Sequence, residues 1–167
     1  MSRTDLRHRR AYLPSLLDRL QDNAPDSHHE EASAYALDSE MMNHVVQRDL
    51  NLLLNTTNLY NELDTIRYPA VAASVVNYGV PPISGNYLSS QRWETIEKLI
   101  RTAIIRFEPR LIPESIDIRP AEQNATRYNK LTFRIRGLMH WQPYPLEFQI
   151  QSTVDFEMNK VSPELER

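Results

Sequence analysis

The chain has no cysteine among its 167 residues. That excludes disulfide staples and thiolate metal centres, and it fits a reducing compartment. Glycine is almost as scarce, with three in all, Gly79, Gly85 and Gly137. They lie far apart, and none falls in the spacing of a phosphate-cradling loop. No apolar run approaches the roughly 20 residues that a membrane span needs. Arg3, Arg7, Arg9 and Arg10 crowd the first ten residues without an apolar stretch behind them, so they do not read as a secretory signal. Neither charge sign dominates: 19 Lys and Arg stand against 22 Asp and Glu, a formal net charge of −3. That balance points away from nucleic acid and away from an acidic solvating tail.

What remains is a chain rich in proline, with eleven, and long enough for one domain with a real core. Its strongest periodic stretch is Ser89 to Arg110. Trp93, Ile96, Leu99, Ile100, Ala103, Ile104 and Phe107 recur at helical spacing, with Glu94, Glu97, Lys98, Arg101 and Arg106 on the wet face. Ser89 and Ser90 suit an N-cap. Pro109 disfavours helix at Glu108 and ends it there. Glu108 and Arg110 are therefore held on either side of a rigid turn.

Upstream, residues 1–12 read as a basic arm. Leu13, Leu16, Leu17 and Leu20 make a one-sided stripe, with Pro14 at a first helical position. So short a helix is marginal alone. It reads either as a fold-back onto the core or as an amphipathic docking peptide. Residues 21–34 read as a polar linker; His28, His29, Glu30 and Glu31 lack the third ligand group that a metal site requires. Asp38 or Ser39 caps a second helix over about 40–55, striped by Met42, Val46, Leu50, Leu53 and Leu54. Between Pro69 and Tyr78 a short helix is expected, closed by Gly79, although Val71, Val75 and Val76 would also suit a strand.

After Arg110 the apolar period changes to 2. Ile116 and Ile118, then Leu131, Phe133 and Ile135, then Leu146, Phe148 and Ile150 each alternate with polar residues. These strands have one apolar face apiece, and Arg134 and Arg136 are expected to pair with Glu147 across strands. The fold class is α+β: N-terminal helices and one long central helix packed on one face of a small, mainly antiparallel sheet. The expected organisation is an arm, docking segment and linker over 1–34, a single domain over 35–160, and a tail over 161–167.

No chemistry stands out. There is no nucleophile turn, no zinc-spaced histidine pair and no cofactor motif, so no catalytic, cofactor or metal residue is assigned. Carboxylates such as Glu108, Asp117, Glu147 and Asp155 satisfy only the permissive demand of a glycosidase. The Glu108-Pro109-Arg110 turn stands as either an internal ion pair shaping the helix-to-strand corner or a rigid docking element.

Several segments together carry a resemblance. They are Leu13-Pro14-Ser15-Leu16-Leu17-Asp18-Arg19-Leu20, Arg48-Asp49-Leu50-Asn51-Leu52-Leu53-Leu54-Asn55-Thr56, Tyr68-Pro69, Ser74-Val75-Val76-Asn77-Tyr78-Gly79, Ser84-Gly85 and Phe107-Glu108-Pro109-Arg110-Leu111. In this order and spacing they resemble the TssE family, the wedge subunit of bacterial type VI secretion baseplates. That family is in turn similar to the small lysozyme-like wedge protein of contractile-tailed phages. The resemblance implies a non-enzymatic cytoplasmic protein, without nucleic acid or membrane insertion, in a baseplate docked at the inner-membrane complex. Its partners would be the other wedge subunits and their core bundle, met through Glu108, Pro109 and Arg110. Sheath subunits would be engaged by strand sharing at a sheet edge, placed by the sequence at Glu147, Gln149 and Gln151 of the last strand. The leucine stripe Leu13, Leu16, Leu17 and Leu20 becomes a third partner surface. The alternative class is a lysozyme-like peptidoglycan hydrolase.

Overall fold

A computed structural model describes residues 14–20, 25, 37–82, 93–121, 130–155 and 160–164. The expected arm, most of the linker with its His-Glu cluster, Leu13, the caps at Ser89 and Ser90, and the Leu17 side chain lie outside the described residues. The chain divides into two compact units, residues 1–46 and 47–167.

In the first unit, helix α1 spans Leu16–Leu20. Ser15 rather than Pro14 opens it. The Ser15 hydroxyl accepts from the Asp18 amide at 3.4 Å and donates to the Asp18 carboxylate at 2.7 Å. Leu16 and Leu20 are 69% and 73% exposed. Helix α2, Ser39–Asn55, begins in this unit and continues into the next. Its cap is Asp38, one of the two residues the sequence offers, whose carboxylate accepts from the Met41 amide at 2.8 Å.

In the second unit, the α2 residues Leu50, Leu53 and Leu54 are buried, on the expected stripe. The stretch from Pro69 resolves into a single turn of α-helix, α3, Pro69–Ala72, and a 3₁₀ turn over Val75–Asn77, so the helical reading holds and no strand forms. Gly79 follows with φ of +116°, and a Cβ there would lie 2.2 Å from the Thr56 carbonyl oxygen. Only glycine fits, because this turn presses its backbone onto the end of α2. The contact is stitched by Val80 N–H to Thr56 O at 2.9 Å and Asn58 N–H to Val80 O at 3.0 Å.

Helix α4 spans Trp93–Phe107 and buries Ile96, Ile100, Ala103 and Ile104. At 15 residues it is slightly shorter than α2, at 17. It covers the sheet, with the Trp93 ring 6.2 Å from that of Phe133. Arg101, expected on the wet face, in fact reaches the Ile116 carbonyl at 2.6 Å while pairing with Glu97. It thereby ties α4 to the residue that leads into the first strand.

The sheet is an antiparallel meander in the order β1 (Asp117–Pro120), β2 (Lys130–Met139), β3 (Leu146–Asp155), β4 (Lys160–Glu164). Phe133, Ile135, Phe148 and Ile150 are buried on one face. Fully burying a side chain of that size contributes about 1.5–3 kcal/mol. Gly137 sits opposite Phe148, and a Cβ would meet that ring at 2.7 Å, so the missing side chain makes room for the aromatic. The expected pairing of Arg134 and Arg136 with Glu147 does not form. The register sets Arg136 against Gln149, Arg134 against Gln151 and Leu138 against Glu147.

Strand β4 occupies the start of the expected tail and pairs with β3. Its pairing covers only Gln151 to Asp155. Ala121 N–H donates to Thr132 O and Ile112 N–H to Leu138 O. The even-numbered residues of β2 from Thr132 to Leu138 therefore aim their backbone groups at β1, and the odd-numbered ones aim at β3. Through the register, Leu146, Phe148, Ile150 and Ser152 bond to β2, while Glu147, Gln149, Gln151 and Thr153 turn theirs the other way. Gln151, opposite Glu164, thus lies within the sheet. Glu147 stands outside the described pairing with β4.

Candidate partner-docking site

The Glu108-Pro109-Arg110 corner is built where α4 stops. The last helical bond runs from Glu108 N–H to Ile104 O at 2.8 Å, and Pro109 prevents another turn. The chain then runs alongside the end of β2. Ile112 N–H donates to Leu138 O at 2.8 Å, His140 N–H donates to Arg110 O at 2.8 Å, and Leu111 bridges to Met139. Backbone bonds on both flanks fix the corner against the sheet.

Glu108 is buried, at 4% exposure, and both of its carboxylate oxygens receive Arg110. Arg110 Nε donates to Oε1 at 2.6 Å and Nη2 donates to Oε2. The same Nη2 reaches Asp49 Oδ2 on α2 at 2.6 Å. Asp49 in turn accepts from Arg48 Nε and Nη2 at 2.9 and 2.8 Å. Charges alternate along Arg48, Asp49, Arg110 and Glu108, so each carboxylate contacts a guanidinium. The Glu108 hydrogen bond, with Asp49 behind it, raises the Arg110 pKa above its ordinary value although burial opposes this. The Arg110 side chain stays 30% exposed.

Tyr78 completes the surroundings, its ring edge-on to Phe107 at 5.1 Å. Burial raises its pKa, and the Asp49 and Glu108 carboxylates raise it further. The turn bearing Tyr78 is held from both sides. Asn77, buried, donates to Ala72 O at 3.0 Å and accepts from the Leu59 amide at 2.9 Å. Arg106 donates to the same Ala72 oxygen at 2.9 Å.

The geometry favours an internal role for the Arg110 fork over the free docking fork that the sequence suggests. Its partner Asp49 was not singled out from the sequence: 61 positions separate the two residues. The only sequence signal is a charged residue beside the Leu50 and Leu53 stripe. The other expected partner residues lie elsewhere. Glu147 is exposed, and with Gln149 and Gln151 it sits on β3. Leu16 and Leu20 belong to α1 in the first unit.

Among the described residues, no group of three or more His, Asp or Glu is placed to hold a metal, and no helix is long and apolar enough to cross a membrane. Fold and site define an α+β protein whose marked polar cluster braces backbone. A family model described as baseplate wedge protein gp25 matches residues 40–144. The chain belongs to that family, whose members are structural components of baseplates. Searches of curated proteins and of solved structures returned no match.

Proposed function

We propose that the chain is the small wedge subunit of a bacterial type VI secretion baseplate, docking on the larger wedge subunits and templating the contractile sheath by strand sharing. The observation that carries this reading is the family match over residues 40–144. The ordered motif set from Leu13 to Leu111 directs it toward secretion systems rather than phage tails.

Two docking modes follow. The Glu108-Pro109-Arg110 corner serves the core bundle of the wedge as a preformed shape, with its charges held in place by the internal network. The part of Arg110 still in contact with water meets the partner. Exposed Ile66, Val75 and Val76, at 93%, 80% and 68%, support a protein that is completed by neighbours. The stretch of β3 around Glu147 serves the sheath. The Glu147 N–H and C=O point away from β2 and past the end of β4, which suits strand addition. The opposite edge is poorer, because the Pro120 ring lies on the outer side of β1.

No enzymatic role is proposed. Glu108, one carboxylate a hydrolase reading would use, is buried and engaged by Arg110 at both oxygens. The proline variant Glu147→Pro tests strand sharing. It removes an outward edge donor while leaving the bonds to β2, so the free protein should keep its melting temperature within a few degrees and still bind wedge partners. It should fail to nucleate sheath. Normal sheath assembly on this variant would rule out β3 as the shared strand.

A further inference from the structure

The solvent face of the sheet carries three arginines in adjoining register. Arg119 on β1 stands directly opposite Arg134 on β2, and Arg136 stands opposite Asp117. Like charges set opposite each other destabilise a strand pair. Compensation within the described residues is partial. Arg119 Nε lies 2.9 Å from Asp117 Oδ2. Arg136 donates to the neutral Gln149 amide oxygen at 2.6 Å, and Arg134 Nη2 reaches that of Gln151 only at 3.4 Å. Among the described residues, Arg134 Nε is buried with no acceptor. A buried donor left unmatched in a native fold calls for an explanation.

An open polar pocket of about 380 Å³ lies here, lined among others by Asp117, Arg119, Pro120, Arg134, Arg136 and Gln151. Among the described residues the lining holds three guanidinium groups and one carboxylate. We infer that this pocket, separate from the Glu108-Pro109-Arg110 corner and from the β3 edge, docks an acidic peptide segment of a partner protein. A carboxylate between Arg119 and Arg134 would meet planar forks of matching geometry and end their mutual repulsion. Nucleic acid fits less well. The chain carries a net charge of −3, and the patch is compact with Asp117 in its wall, whereas phosphate backbones need an extended run of cations.

The test is titration of the full chain with a fluorescein-labelled tetraglutamate peptide, read by polarisation at low and at physiological salt. Saturable binding that weakens with salt is expected, with a higher melting temperature for the wild type in excess peptide. Arg119 is largely exposed, with its side chain at 77%, so Arg119→Gln should fold normally. That variant should bind about tenfold more weakly, since it loses one fork of the clamp. Arg134→Gln should lose at least as much. The control Arg67→Gln, on a cation that lies over the Tyr68 ring, should bind as the wild type does. Three results would each overturn the inference: no saturable peptide binding, equal loss in the Arg67→Gln control, or tighter binding of a thymidine octanucleotide than of the peptide.

Discussion

Replacing Arg110 with alanine strips the guanidinium from the buried Glu108 carboxylate. At 4% exposure Glu108 cannot recover its lost bonds from water without opening the corner. Removing one member of a buried ion pair costs about 3–5 kcal/mol, because the remaining charge is left uncompensated. Arg110 is 30% exposed, so water enters part of the vacated space and the lower end applies, about 3 kcal/mol. Asp49 adds little, since it is 25% exposed and keeps its bond to Arg48. For a chain of this size, each kcal/mol shifts the melting temperature by roughly 2–4 °C, giving a fall of about 6–12 °C. The double variant Glu108→Gln, Arg110→Ala removes the stranded charge and should be more stable than Arg110→Ala alone. Arg110→Lys should fall between, because an ammonium cannot span both Glu108 oxygens and Asp49. Urea unfolding with an unchanged m-value reads all four proteins on one scale. A cost below about 1 kcal/mol for Arg110→Ala, the range of an exposed pair, would refute the buried-network reasoning.

Other perturbations probe other parts of the molecule. The raised Tyr78 pKa means that the folded state holds its phenol proton more tightly than the unfolded state does. Its contribution is complete below the ordinary value of 10.0 and is lost as pH rises through the higher folded value. Stability measured from pH 8 to 11.5 should therefore decline above about pH 10, and Tyr78→Phe should flatten that decline; identical slopes would show that the phenol is not linked to folding. The exposed leucines of α1 predict that Leu16→Asp with Leu17→Asp weakens binding to wedge partners while the isolated protein melts as before. A clear drop in melting temperature would place the stripe in this protein's own core.

Much of the fold was legible because local signals agreed with the tertiary outcome. Asp38 caps α2 where a short polar side chain precedes an apolar stripe, and Val46, Leu50, Leu53 and Leu54 are buried at the expected spacing. The period-2 stretches form β1, β2 and β3, with Ile118, Phe133, Ile135, Phe148 and Ile150 buried on the expected face. Strand β4 was hidden by its composition. Pro163 demotes a run to non-strand on sequence grounds, yet the register places it opposite Ser152, which bonds to β2. A proline there faces the outer edge and costs no ladder bond. The cross-strand partners of Arg134 and Arg136 were misread because register depends on the connection over 140–145, which alternation cannot supply. The corner shows the same limit. The sequence offered Glu108 and Arg110 as a pair, but whether they face a partner or each other depends on Asp49, brought in from another helix.

Co-purification tests whether the chain is a wedge subunit of a type VI secretion baseplate. The tagged full chain is recovered from cells of the organism that encodes it, and the proteins that accompany it are identified. The larger wedge subunits should accompany it together with sheath subunits, and with Glu147→Pro the wedge subunits alone. Recovery without any baseplate subunit, or with a phage tail assembly in place of secretion components, would contradict that assignment.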